Sequence, residues 1–151
     1  MAIVTESIQE AVNNVIEICR DAERCFVSAA SAIDSDVFRK ELLYYGRERA
    51  GFASALADAL EEMGIEPLGE APAPQSNHGG WFNMMQLNPE NNVHAILSAC
   101  ERGEDSAVEA YSEAMSAPVP DPIAGLISAQ YQVVRATYER IRDLRDTAEY
   151  Y

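Results

Sequence analysis

Basic residues, cysteines and histidines are all scarce in this chain, and each shortage closes off a class of function. Eleven lysines and arginines stand against 25 aspartates and glutamates, a net charge of −14. Nucleic acid and anionic membrane surfaces would repel such a chain, so neither is expected as a partner. No run approaches the roughly 18 apolar residues of a membrane span. Met1 to Glu10 has no basic region and no apolar run of signal-peptide length, so no leader is expected either. The three cysteines, Cys19, Cys25 and Cys100, are odd in number, lack a CxxC and fall inside helical patterns. They predict reduced core thiols in a cytoplasmic protein, not a disulfide framework. Only His78 and His94 are available as imidazoles, too few and too poorly placed for a Ser-His-Asp set. A glycine-rich phosphate loop and a nucleophile elbow are also missing.

What is present is helix. The 151 residues are 48% hydrophobic, enough for one domain with a real core. Four segments carry apolar residues at alternating steps of three and four. The first, about 5–33, has Ser7 and Glu10 at capping-box spacing and a stripe of Val12, Ile16, Cys19, Glu23, Phe26, Ala30 and Ile33. Asp34-Ser35-Asp36 supplies a turn and an N-cap for the second, about 36–63, whose stripe reads Phe38, Leu42, Tyr45, Glu48, Phe52, Leu56 and Met63. Gly64 can end it in the left-handed conformation. So short a turn makes the first two helices an antiparallel hairpin.

Residues 64–88 read as a long connection rich in proline and glycine that includes the apolar Trp81-Phe82-Asn83-Met84-Met85. At roughly 3.3 Å per extended residue it can run the whole length of a bundle. The third helix, about 89–116, starts at Asn88-Pro89, and the fourth, about 122–148, at Asp121-Pro122. Their stripes read Val93, Leu97, Cys100, Glu104, Ala107, Tyr111, Met115 and Ile127, Tyr131, Val134, Tyr138, Ile141, Leu144. The expected fold is all-α, a ferritin-like four-helix bundle of two hairpins joined by one long connection.

Three stripes are interrupted by a glutamate, Glu23, Glu48 and Glu104, and the fourth carries Tyr138 at the equivalent height. Counted along helices rising about 1.5 Å per residue, the four share one layer to within about a turn. An inward, unpaired carboxylate costs several kcal/mol, so such a layer calls for cations or hydrogen bonds. Di-iron and di-manganese bundles combine a glutamate from each of two helices with a Glu-x-x-His from the other two. Here Gly51 stands three residues after Glu48, and no Glu-x-x-His occurs anywhere. Two readings remain open. Glu23, Glu48 and Glu104 could bind a single iron or manganese ion near Tyr138, or they could pair with Arg24, Arg49, Arg102 or tyrosine hydroxyls. Gly103, beside Glu104, costs about 1 kcal/mol against alanine in mid-helix and suggests close helix packing.

Several stretches resemble one bacterial family. They are Val15-Ile16-Glu17 through Phe26, Gly80-Trp81, Cys100-Glu101-Arg102-Gly103-Glu104-Asp105 with Ala110-Tyr111, and Gln130-Tyr131 through Asp146. The family consists of ferritin-like four-helix-bundle proteins described only as a domain of unknown function. The resemblance implies that fold, a cytoplasmic setting and no established activity. It also implies a histidine where this chain has Tyr138, which weakens any metal role at that position. The function expected is a structural or interaction bundle, vestigially metal-binding or stress-associated, and self-associating as a dimer through a helix face. The alternatives are an iron- or manganese-dependent oxidase or peroxidase-like protein using the inward carboxylates, and an interaction module using the Trp81 patch.

Overall fold

The computed structural model describes residues 2–68 and 93–148. They form four helices: α1 (Ala2–Ala32), α2 (Asp36–Glu62), α3 (Val93–Ser116) and α4 (Ile123–Ala148). No strand occurs among the described residues, and none of their helices is long and apolar enough to cross a membrane. The expected start of the third helix at Asn88-Pro89, His78 and the Trp81 patch lie outside the described residues.

Local chemistry sets the helix ends. Ser35 is the N-cap of α2, its hydroxyl accepting from the Phe38 amide at 3.4 Å. At the far end Gly64 has φ +76°, and the Gly64 and Ile65 amides donate to the Glu61 and Leu60 carbonyls, each at 2.9 Å. This is a Schellman termination, with Ile65 folding back onto the apolar core. Asp121 accepts from the Gly125 amide through its side chain at 3.2 Å in the first turn of α4. One expectation is corrected: α1 begins at Ala2, so Ser7 and Glu10 lie inside the helix and do not form its cap.

The helices form a square. α1 packs on α2 and α3, α4 packs on α3 and α2, and the α2–α4 contact is the least extensive. α2 and α3 therefore face each other across a diagonal. Two apolar clusters give the directions. One joins Val12, Val15 and Ile16 of α1 with Leu56 and Leu60 of α2, Tyr111 of α3 and Ile123 and Ile127 of α4. The other joins Phe26 and Ile33, Leu42, Ile96 and Leu97, and Ile141 and Leu144. The helices thus run up, down, down and up. Ile65 belongs to the lower cluster and Val93 packs on the upper one. The described chain therefore stops at one end of the bundle and resumes at the other, as the expected crossing requires.

Candidate functional site

Between the two apolar clusters lies one polar layer. α2 contributes Arg49, α3 Glu104 and α4 Thr137, and all three side chains are buried. Arg49 Nη1 donates to Glu104 Oε1 at 2.6 Å, and Nη2 donates to Oε2. This two-pronged pair spans the diagonal of the bundle, with side chains 1% and 2% exposed. A planar guanidinium matches a carboxylate in this way, and the arrangement offsets the cost of burying both charges. The guanidinium carbon also lies 5.6 Å from the centre of the Phe26 ring of α1. Burial opposes the charge of Arg49, but Glu104 opposite it outweighs that effect and holds its pKa above the ordinary value. Thr137 satisfies its own hydroxyl on the Val133 carbonyl at 3.0 Å. The one buried nitrogen of Arg49 without a hydrogen-bond partner is Nε.

A second set of polar groups sits just below. The Tyr111 hydroxyl donates to Gln130 Oε1 at 2.6 Å, and Gln130 Nε2 donates to the Phe52 carbonyl at 3.4 Å. Cys19 Sγ is 3.0 Å from the Tyr111 oxygen. A phenol has one proton, and Tyr111 gives its proton to Gln130. The Cys19 thiol must therefore be the donor in that contact. The chain of donors runs from α1 to α3 to α4 to α2. Burial pushes the Cys19 thiol up to about 11, only partly countered by Arg49. It raises Tyr111 as well, aided by the adjacent Cys19. Cys25 and Cys100, in the upper half, are also free and buried, and burial raises both. Thiols kept protonated in this way are poor nucleophiles and metal ligands.

The sequence-predicted carboxylates do not converge. Glu104 is inside, as expected. Glu23 is half-buried and borders a shallow depression on α1 with Arg24, Val27 and Ser28. Glu48 is half-buried on the outer side of α2, 3.4 Å from the Tyr44 hydroxyl. Tyr138 is half-buried, with the Arg142 guanidinium over its ring at 5.9 Å. Among the described residues no group of three His, Cys, Asp or Glu side chains could hold a metal ion. His94 is ten residues before Glu104, about 15 Å away along α3. Nor do the residues of the layer fit iron or manganese. Both Glu104 oxygens are taken by a cation of the protein's own, and a divalent ion beside them would face Arg49.

The expected stripes of α2 and α4 hold at Leu42, Leu56, Ile127, Val134, Ile141 and Leu144. In the middle of each helix, however, the inward residue is a neighbour of the expected one, and on α1 it is Ala22 that is buried beside the half-buried Glu23. The inward residues of α2 are Leu42, Gly46, Arg49, Ala53, Leu56 and Leu60, and those of α4 include Gln130, Val134 and Thr137. Tyr45, Phe52, Tyr131 and Tyr138 sit on the shoulders, half-buried. α3 passes unbroken through Gly103, which is buried.

A search of curated proteins finds no match to the chain. The model of the family described as a domain of unknown function (DUF2383) matches residues 7–117, which include most of α1, all of α2 and α3, and both partners of the buried ion pair. The chain belongs to this family.

Proposed function

We propose that this chain is a ferritin-like bundle that acts by presenting its surfaces to another protein, with its inner layer closed by its own ion pair. The observation that carries the reading is the diagonal Arg49–Glu104 pair, which occupies the level where a metal-binding bundle gathers its carboxylates. The up-down-down-up course, with the described chain ending at one end of the bundle at Ile65 and resuming at the other at Val93, supports the ferritin-like description. A cytoplasmic setting fits the three unpaired thiols.

The test is metal content by inductively coupled plasma mass spectrometry, on untagged protein from iron- and manganese-supplemented cells. Oxygen consumption with ferrous iron is followed in parallel. Substoichiometric metal that is unchanged in the Glu23→Gln/Glu104→Gln variant is expected. One or two equivalents lost in that variant would replace this reading with the oxidase.

A further inference from the structure

The seam between α2 and α4 is the least closed of the four, and it opens outward as a groove of about 460 Å³. Its lining is largely apolar or aromatic, with Val133, Ala136, Tyr44 and Tyr45 joined by Gln132, Glu48 and Arg140, and with the buried Thr137 behind them. Tyr44 is 56% exposed and Val133 36%, so large apolar surface faces water here instead of the core. The two tyrosine rings meet edge to face, with centroids 5.9 Å apart.

The charges at the groove are not balanced. Arg140 is already engaged, its Nε and Nη2 donating to Glu41 at 2.8 and 3.2 Å. Among the described residues Glu48 has only the Tyr44 hydroxyl, at 3.4 Å. A visiting group therefore meets a carboxylate that has no cation partner among the described residues, next to two π faces, on a chain whose net charge is −14. A cation is favoured in that setting twice over, by the carboxylate and by the rings. A second copy would bring the same excess of negative charge and a second Glu48, so like charges would oppose it at this groove.

We propose that the α2–α4 groove docks a basic amphipathic helix of another protein, with apolar side chains on Val133 and a lysine or arginine between Glu48 and the tyrosines. This is the helix-in-groove mode of recognition, and it rests on the interaction reading above.

A labelled synthetic helix of leucine and lysine, amphipathic at helical spacing, is the probe. Its affinity is measured by fluorescence anisotropy, with circular dichroism confirming that each variant is folded. Val133→Asp should weaken binding by roughly tenfold or more, although it makes the protein more negative. Glu48→Lys should do the same, whereas Glu113→Lys, an equal charge change at an exposed site on α3, should shift affinity by no more than about twofold. Affinity that is unchanged or raised in Val133→Asp would mean that bulk charge alone holds the peptide, and the groove would be abandoned. Two further results overturn it. One is a dimer in sedimentation that Val133→Asp dissociates. The other is a Trp81 emission shift in Val133→Asp, with no peptide bound by the parent protein, which would make the chain its own occupant. Metal content of the same preparation separates the two readings. Failure to bind the peptide removes the groove alone, while stoichiometric metal removes the interaction reading and the groove with it.

Discussion

The lower and upper halves of the core use the same four helices but place their polar interactions differently. In the lower half, Cys19, Tyr111, Gln130 and the Phe52 carbonyl form a hydrogen-bonded chain through the interior that touches every helix. The upper half is apolar inside, around Phe26, Leu42 and Ile141. Its polar interactions lie on the outside, where Arg140 joins Glu41 and Arg145 joins Glu101. Interior partners are shielded from water and salt, whereas surface ion pairs contribute little and are screened. The contrast teaches that the layer between the halves, Arg49 with Glu104, is the costliest place to disturb.

Breaking that layer tests the contrast most severely. Arg49→Leu or Glu104→Leu alone leaves a buried charge unpaired and should cost about 3–5 kcal/mol in denaturant unfolding. The double variant Arg49→Leu/Glu104→Leu should lie closer to the parent than either single. Additive losses would show that the two side chains do not form a coupled pair.

The lower half comes next. Tyr111→Phe removes the donor to Gln130 and the acceptor for Cys19, and should cost about 1–2 kcal/mol. A loss no larger than that of an exposed tyrosine would mean that the interior chain contributes nothing. Between the halves, Gly51 points outward, with nothing within 4 Å of where a Cβ would stand. Gly51→Ala should therefore raise stability by about 1 kcal/mol, read as a higher melting temperature.

The upper half should respond least. Arg140→Gln is expected to cost under about 1 kcal/mol, and less in high salt. Burial pushes the Glu41 carboxyl up, but hydrogen bonds from Arg140 and Tyr45 bring it below its ordinary value of 4.5. A lowered pKa means that the pair stabilises the fold fully above about pH 4.5 and loses that effect as pH falls further. In Arg140→Gln this part of the acid sensitivity should shrink, and a pH–stability curve identical to the parent's would count against the pair.

Much of this architecture was legible in the residues. α1 and α3 show their inward faces through Val12, Ile16, Phe26, Leu97, Cys100 and Tyr111 because large apolar residues alternate there with charge. The ends of α2 were readable because Ser35 and Gly64 have specific backbone roles. α2 and α4 misled because their bulkiest residues, Phe52 and Tyr45 or Tyr131 and Tyr138, sit at the edges of the core. The true stripe of α2 runs through Gly46, Ala53 and an arginine, which hydrophobic periodicity scores as surface. Arg49 was visible as a partner for a glutamate but not as the inward residue. Its place depends on a carboxylate 55 residues away on another hairpin, and no local pattern carries that information.

That separation also bears on the order of folding. α1 with α2 and α3 with α4 are hairpins of neighbouring helices, and such local contacts form quickly. Arg49 belongs to one hairpin and Glu104 to the other, so neither loses its water until the two hairpins meet. A slide of one hairpin along the other by a single helical turn, about 5.4 Å, would strand both charges in apolar surroundings. The pair thus acts as a pin that admits only one alignment, and it closes late. Substitutions at Arg49 should accordingly speed unfolding far more than they slow folding.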